Sequence, residues 1–315
     1  MAELVLMRKV YGEALVKVGR MYPQVVALSA DVSNSDFSYM FQEAFPDRFF
    51  NVGIAEQSLV DVAVGLAYSG KIPFANTFAF LFATRALEMV RTHLCYGKAN
   101  VKLMGAYAGV SDSFDGPTHH AITDLAIMRS LPNMTVVVPS DPVGVEKLLP
   151  QVAEWDGPVY MRINRNEVPL LFDESYAPVI GKAIVLRHGS DLTLVCTGLM
   201  VSRALEAAEI LEKEGIDARV MEVHTIKPLD VESIVQAAVE TGAIVTAEEH
   251  SIMGGLGGAV AEVTSEQCPI PVRRVGIADR FTETGPYADL LEAYGMSAQH
   301  ILAAARQAVA AKERI

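Results

Sequence analysis

Basic residues are scarce in this sequence. Lys and Arg together number 26 against 38 Asp and Glu, so the net charge at pH 7 is -12. Nucleic acids and anionic membranes are bound by clustered basic side chains, because these offset phosphate charge. The charge balance therefore argues against a nucleic-acid or membrane partner and favours chemistry on a small molecule.

Cysteines are also few. Cys95, Cys196 and Cys268 lie far apart in apolar stretches, without a Cys-x-x-Cys pair or a histidine at metal-ligand spacing. Zinc sites and disulfide frameworks need closely spaced or paired cysteines. We expect free buried thiols in a reducing compartment and no metal site on this chain.

Long apolar runs are missing as well. The least charged stretch, residues 72–84, contains Pro73 and Asn76 and is too short to span a bilayer. Charges run throughout the N-terminal stretch MAELVLMRKVYGEALVKVGR, unlike a secretory signal. We therefore expect a cytoplasmic protein. With 315 residues, 51% of them hydrophobic, the chain can bury the cores of two domains.

Short apolar runs alternate with longer amphipathic segments through the first half of the chain. The runs predict strands and the segments predict crossover helices, a pattern typical of parallel, doubly wound α/β sheets. Strands are predicted at residues 25–30, 49–54, 72–76, 101–107, 135–139 and 159–163, and helices at 11–20, 56–69, 83–94, 121–130 and 142–153.

The pattern lapses at NEVPLLFDESYAPVIG, residues 166–181, which predicts a linker. It separates a first domain, residues 1–165, from a smaller α/β domain, residues 182–315. In the second domain, strands are predicted at residues 192–197, 219–223, 243–247 and 272–275, and helices at 201–214, 231–241, 256–266 and 298–311. Both domains are predicted to be doubly wound, with mainly parallel sheets.

Reactive side chains in parallel sheets gather at the carboxyl ends of the strands. Glu56 opens a predicted helix directly after an apolar strand, but such a carboxylate can simply complement the helix dipole. The connection at residues 109–120 is more informative, because this long loop carries two aspartates, two histidines and a Gly-Pro turn. We expect a site there.

Five short strings carry a family resemblance. They are RKVYGEAL at residues 8–15, FPDRF at 45–49, GIAEQ at 53–57, DGPTHH at 115–120 and TIKPLD at 225–230. In this order and spacing they resemble the pyrimidine-binding and C-terminal domains of transketolase over nearly the whole chain. The resemblance implies an enzyme that depends on thiamine diphosphate and transfers a two-carbon ketol unit from a ketose, or ketose phosphate, to an aldose.

The Gly-Asp-Gly motif that holds Mg²⁺ and the diphosphate in such enzymes is missing, and the sequence contains no Gly-Asp pair. Because the chain starts close to the pyrimidine-binding domain, the resemblance implies that a separate N-terminal transketolase subunit carries the diphosphate site and the Mg²⁺ ligands. We expect a heterotetramer with two copies of each chain, self-association of this chain, and no activity without the partner.

For the cofactor, the resemblance assigns Glu56 to the N1′ atom of the aminopyrimidine, where it would assist proton removal from the thiazolium. Burial at an apolar strand-helix junction would strengthen that hydrogen bond. Phe78 and Phe82 match the aromatic residues that flank the pyrimidine ring. Phe80 is a rival for Phe82, because the stretch 78–91 is one residue longer than in typical transketolases.

For the substrate, the resemblance assigns His119 to proton movement at the sugar oxygens and Asp115 to a sugar hydroxyl. Asp31 would line the site near the thiazolium, and His120 would be a neighbour rather than a participant. Asp115, His119 and His120 lie in the matching string DGPTHH.

Arg8, Ser35 and Arg165 match positions that hold the substrate phosphate in the family, where arginine offers paired donors to an oxyanion. The sequence departs from the family pattern at two places that concern this end of the substrate. Tyr107 stands where the family has a phosphate-binding histidine, and Ser113-Phe114 replace a Gly-Glu pair. Tyr107 is therefore a predicted substrate contact, and either an unusual sugar phosphate or another anionic sugar is expected.

Three alternatives remain open from the sequence. The beta subunit of a thiamine-dependent 2-oxoacid dehydrogenase shares the fold and the glutamate, but DGPTHH, TIKPLD and Arg8 weigh against it. A fragment of 1-deoxyxylulose-5-phosphate synthase shares much of the same pattern. A non-catalytic, regulatory α/β subunit is the third possibility, and the presence of Glu56 weighs against it.

Overall fold

The computed structural model describes residues 3–312. The strands are β1 (Leu4–Leu6), β2 (Val25–Ser29), β3 (Phe49–Asn51), β4 (Ile72–Phe78), β5 (Lys102–Ala106), β6 (Thr135–Val137), β7 (Val159–Ile163), β8 (Glu167–Pro169), β9 (Ile184–Arg187), β10 (Leu192–Cys196), β11 (Ala218–Glu222), β12 (Thr225–Lys227), β13 (Ile244–Ser251) and β14 (Val272–Ile277).

The helices are α1 (Met7–Met21), α2 (Ser33–Asp36), α3 (Tyr39–Ala44), α4 (Glu56–Tyr68), α5 (Ala79–Ala83), α6 (Leu87–Met89), α7 (Asp124–Ser130), α8 (Pro142–Glu154), α9 (Met200–Lys213), α10 (Val231–Thr241), α11 (Leu256–Gln267), α12 (Tyr287–Ala293) and α13 (Ala298–Lys312). A 3₁₀ turn spans Pro46–Arg48 and a π-helical segment spans Val90–Tyr96. None of the helices described is long and apolar enough to cross a membrane.

A seven-stranded sheet organises the first half, in the order β12-β6-β7-β5-β4-β2-β3. Every neighbouring pair except β12 and β6 is parallel. Successive side chains of a strand point to opposite faces. Val25 and Ala27 of β2 thus belong to a core shared with α1 and α8, whereas Val26 and Leu28 belong to one shared with α4. Helices cover both faces, which makes the sheet doubly wound.

The second half is built in the same way around a five-stranded sheet in the order β14-β13-β10-β11-β9. Its strands are parallel except for β9, which runs antiparallel to β11. Helices α9 and α13 pack in one core and α10 and α11 in the other. The predicted fold class, two doubly wound units with mainly parallel sheets, is confirmed.

The predicted linker is fixed to both halves of the chain. It begins with β8, which pairs antiparallel with β1. Beyond β8, the backbone N–H groups of Leu171 and Phe172 each donate to Asp141 Oδ2 at 3.0 Å. The Tyr176 hydroxyl then donates to Glu222 Oε2 at 2.7 Å in the second half.

One strand crosses the division predicted from the sequence. β12 belongs to the TIKPLD segment of the second half, yet it adds an antiparallel edge to the first sheet beside β6. Ile226 is 1% exposed, and Lys227 Nζ donates to the carbonyl of Arg129 at 3.0 Å. TIKPLD therefore interlocks the two halves.

The helix predicted at residues 83–94 is broken in the structure. Helix α5 ends at Ala83, and Thr84 adopts φ -124° and ψ -74° while its hydroxyl donates to the Phe80 carbonyl at 2.7 Å. Such side-chain bonding competes with helix continuation. Helix α6 and the π-helical segment follow, so that Arg85 lies in the break.

The three cysteines are unpaired. Cys95 and Cys196 are buried as predicted, and burial raises the pKa of the Cys95 thiol to about 12. Cys268, at the end of α11, is partly exposed and departs from the expectation of burial.

Candidate active site

The predicted site residues lie mostly at the carboxyl edge of the seven-stranded sheet. Parallel neighbours end at the same edge, and the five strands that lead to this site, β2, β3, β4, β5 and β7, are parallel. The residues that follow or end these strands are Asp31 after β2, Glu56 beyond β3, Phe78 at the end of β4, Tyr107 after β5 and Arg165 after β7.

Glu56 is the first residue of α4 and its side chain is 1% exposed. The Nη1 atom of Arg85, in the break after α5, donates to Glu56 Oε2 at 2.8 Å. The N-terminus of α4 adds a second positive influence, since its backbone N–H groups and dipole favour a negative charge. Within residues 3–312, no donor bonds to Glu56 Oε1. This buried carboxylate thus has one oxygen held and one available.

Asp31 forms a clip across the ends of two neighbouring strands. Asn51 Nδ2 donates to Asp31 Oδ1 at 2.8 Å, and the Asp31 N–H donates to Asn51 Oδ1 at 3.1 Å. Asn51 Oδ1 also accepts the Gly53 N–H at 3.0 Å, and Gly53 has φ +77°. The clip therefore fixes the turn that leads to Glu56, and the Asp31 side chain is exposed beside it.

Two arginines lie close to the ring of Tyr107. Arg8 Nη1 donates to the Tyr107 hydroxyl at 3.2 Å, and the guanidinium carbons of Arg8 and Arg165 lie 5.5 and 4.9 Å from the centre of the tyrosine ring. Phe78 stacks on the same ring, with centroids 4.5 Å apart and planes at 11°. We call Arg8, Tyr107, Phe78 and Arg165 the arginine-aromatic cluster.

Backbone carbonyls fix Arg8 within this cluster. Its Nη1 donates to the Ser35 carbonyl at 2.6 Å and its Nε to the Arg165 carbonyl at 2.9 Å. The structure therefore brings together all four residues predicted to contact the distal end of the substrate, Arg8, Ser35, Tyr107 and Arg165. Ser35 contributes its backbone carbonyl to that arrangement.

Asp112 is a charged partner of the cluster that was not predicted from the sequence. Arg165 Nη1 contacts Asp112 Oδ1 at 2.6 Å, and the aspartate is fully buried. Burial, aided by repulsion from Asp115, raises the pKa of Asp112 to about 6 against the attraction of Arg165. Its place in the loop 109–120 was a signal, but the pairing with Arg165 depends on the tertiary fold.

His119 and Asp115 lie on the same loop, with His119 half-buried and Asp115 exposed. The His119 ring is 5.1 Å from the Phe80 ring and 6.2 Å from the Phe78 ring. Phe82, by contrast, is fully buried in the core beneath α5. Its ring has no face left for a ligand, so the geometry favours Phe80 over the predicted Phe82.

His120 serves the loop itself. Its Nδ1 lies 2.5 Å from the Thr282 hydroxyl and its Nε2 3.1 Å from the Asp112 carbonyl. Burial lowers the pKa of His120, which favours the neutral ring. These contacts fit the expectation of a neighbour rather than a participant.

A buried polar network anchors the loop to the second half of the chain. Glu249 Oε1 accepts the Val110 N–H at 2.8 Å. Arg162 pairs with Asp124 and also donates to the carbonyls of Glu249 at 3.0 Å and Ala121 at 2.9 Å. The network thus holds both ends of the loop that carries His119.

Family profiles match both halves of the chain. The profile of the transketolase pyrimidine-binding domain matches residues 4–169, and that of the transketolase C-terminal domain matches residues 181–301. The chain belongs to the transketolase family. Its two domains correspond to the C-terminal section of transketolase, as predicted from the sequence.

Individual transketolase relatives agree with this assignment. A putative transketolase C-terminal section from Methanocaldococcus jannaschii is 43% identical, over 94% of this chain and 93% of that protein. A 6-deoxy-6-sulfo-D-fructose transketolase subunit from Clostridium sp. is 40% identical, over 96% of this chain and 94% of that subunit.

A solved split-gene transketolase, described as an inactive beta4 tetramer, has 49% identity and a TM-score of 0.92. The match covers 98% of this chain and 99% of that chain. These relatives support the transketolase interpretation over the dehydrogenase and regulatory alternatives, and this chain is a split-transketolase subunit.

Proposed function

We propose that this chain supplies the pyrimidine-binding half of a thiamine diphosphate-dependent active site, which transfers a two-carbon ketol unit from a ketose to an aldose. The observation that carries the proposal is Glu56, a buried carboxylate with one available oxygen at the carboxyl edge of the sheet. The arginine-aromatic cluster and His119 lie along the same edge, where a sugar could bind beside the cofactor.

The residues present fit an aminopyrimidine. Glu56 Oε1 can take part in a hydrogen bond to a ring nitrogen, and burial strengthens that bond by excluding competing water. Phe78 and the half-buried Phe80 offer aromatic surface for the flat heterocycle. Bound thiamine diphosphate would supply the nucleophilic carbon that attacks the ketose carbonyl. Asp31, exposed at the end of β2, would line the neighbouring part of the site.

His119 would move a proton at the substrate oxygens, since its half-buried ring stands beside Phe78 and Phe80. Thr118 Oγ1 lies 3.0 Å from His119 Nδ1, so Nε2 would be the ring nitrogen that reaches the substrate. The exposed carboxylate of Asp115 would accept a hydrogen bond from a sugar hydroxyl.

The distal end of the sugar would be anionic. Arg8 and Arg165 present two guanidinium groups close to the Tyr107 ring, a donor set suited to an oxyanion. Asp112 offsets part of that charge. Both a sugar phosphate and a sugar sulfonate remain candidates, and the Clostridium relative is named for a sulfo-sugar.

A partner chain would complete the site. Ile54, two residues before Glu56, is 75% exposed, and Val62 on the outer face of α4 is 42% exposed. The sequence has no Gly-Asp pair from which to build a diphosphate site, so another chain would supply that site, and these exposed apolar side chains are candidates for the surface it covers. We propose a diphosphate-binding subunit that carries the Mg²⁺ ligands, and an assembly of two copies of each chain. The cytoplasmic location and the two domain boundaries stay predictions from the sequence.

The proposal is tested by reconstitution. The chain is co-expressed with a candidate diphosphate-binding subunit, and ketol transfer is measured with thiamine diphosphate and Mg²⁺ from a ketose phosphate, a ketose sulfonate and an uncharged ketose. We expect transfer only when both chains are present. Decarboxylation of a 2-oxoacid without ketol transfer would overturn the proposal.

The anionic subsite has its own test in Arg8→Met. We expect kcat/KM for the charged donor to fall at least about tenfold, the magnitude of one charge-assisted hydrogen bond, with a smaller change for the uncharged donor. Arg20→Met is the matched control, since Arg20 is an exposed arginine on the same helix. Equal losses for both donors would contradict an anionic subsite.

A further inference from the structure

Arg85 is the charged residue in contact with Glu56 that no motif of the sequence assigns. It lies where α5 breaks at Thr84, and its side chain is 48% exposed while that of Glu56 is 1% exposed. The bond from Arg85 Nη1 goes to Oε2 alone, at 2.8 Å. The other carboxylate oxygen, Oε1, accepts no hydrogen bond from residues 3–312.

We propose that Arg85 is a positioning residue for Glu56, an inference that rests on the proposed function. By bonding Oε2, Arg85 fixes the rotamer of the carboxylate so that Oε1 is the atom presented to the ring nitrogen of the cofactor. Without that partner the carboxylate could rotate. A carboxylate that is already fixed in the reactive geometry avoids the entropic cost of ordering it during the reaction.

Arg85 is half exposed, so solvent screens its attraction to Glu56. The lower end of the range for charge-assisted hydrogen bonds therefore applies to this contact.

The experiment compares Arg85→Gln, Arg85→Lys and the control Arg91→Gln in the assembled two-chain enzyme. Arg91 is an exposed arginine of the π-helical segment, and its replacement removes the same charge. The readouts are kcat, the dissociation constant of thiamine diphosphate by calorimetry, and assembly by sedimentation at saturating partner.

For Arg85→Gln we expect kcat to fall about tenfold and cofactor binding to weaken several-fold. Arg85→Lys keeps the charge and should stay within about threefold of the wild type, and Arg91→Gln should match the wild type.

Two results would overturn the inference. One is an Arg85→Gln enzyme that matches Arg91→Gln in kcat and cofactor affinity. The other is a loss that disappears at saturating partner, since Arg85 would then act in assembly alone. If the wild-type enzyme transfers ketol units, either result leaves the proposed function standing. An inactive wild-type complex would instead count against the proposed function itself.

Discussion

Replacing Arg162 by Met should destabilise the first half of the chain and loosen the loop that carries His119. Arg162 is 4% exposed, and its Nε donates to Asp124 Oδ2 at 2.7 Å, while other nitrogens reach the carbonyls of Ala121 and Glu249. Burial acts to raise the pKa of Asp124, but attraction to Arg162 outweighs it and holds the pKa below its usual value. Without the arginine, the carboxylate is buried and unpaired.

The size of the loss follows from those contacts. Removing one partner of a buried ion pair costs about 3–5 kcal/mol, chiefly through the charge left behind. The Tyr160 hydroxyl still donates to Asp124 Oδ2 at 2.5 Å, which keeps the expected loss near the lower end. We therefore predict about 3 kcal/mol for Arg162→Met.

Urea unfolding followed by tryptophan fluorescence measures this loss. The chain has one tryptophan, Trp155 at the end of α8, which reports on the first half. Arg273→Met, an exposed site on β14, should change stability by no more than about 0.5 kcal/mol. Adding Asp124→Asn to Arg162→Met should recover much of the loss, because no charge is then left unpaired. A loss below about 1 kcal/mol in the single variant would refute the reasoning.

Two further predictions concern the contact between Glu249 and the loop. Burial raises the pKa of Glu249 to about 7 from 4.5, so the folded chain binds its proton more tightly and stability should fall as pH rises through this window. Glu249→Gln should lessen that fall in melting temperature, and an unchanged pH dependence would contradict the assignment. Gly109 has φ +61° and a Cβ there would lie 2.3 Å from Glu249 Cδ, whereas Gly70 has φ +84° and open space. Gly109→Ala should therefore lose about 1–3 kcal/mol more than Gly70→Ala on urea unfolding, and equal losses would exclude the clash.

The elements that could be predicted from the sequence are those with a strong local pattern. β2 is an apolar run, and β7 is an apolar run interrupted only by Arg162. Helices α4 and α8 are amphipathic over more than three turns, so all four elements were located to within a residue or two. The first-half sheet follows from their alternation. Its carboxyl edge, and with it the position of Glu56, could therefore be inferred from the order of strands and helices along the chain.

Among the missed elements are short edge strands whose stability comes from their partners. β1, β8 and β12 have three residues each, too few for a period to emerge, and β12 pairs with β6 from the far half of the chain. Residues 79–83 are all apolar, and apolar residues recur at helical spacing beyond Thr84, at positions 86, 87, 90 and 94, so periodicity could not locate the break at Thr84.

Prediction of the site residues from the sequence has the same limit. Motifs indicated Glu56 and His119 because strings in the sequence carry them. The partners of such residues are set by tertiary contacts, as with Arg85 beside Glu56 and Asp112 beside Arg165. Choosing Phe80 over Phe82 likewise required knowing which ring α5 buries.

The central claim is that a single carboxylate of this subunit activates a cofactor held between two chains. Turnover of Glu56→Ala in the reconstituted enzyme, at saturating thiamine diphosphate and partner, tests it most directly. The account predicts a fall of about 100-fold or more with assembly intact, the range for loss of an acid-base group. Wild-type turnover in that variant would contradict it.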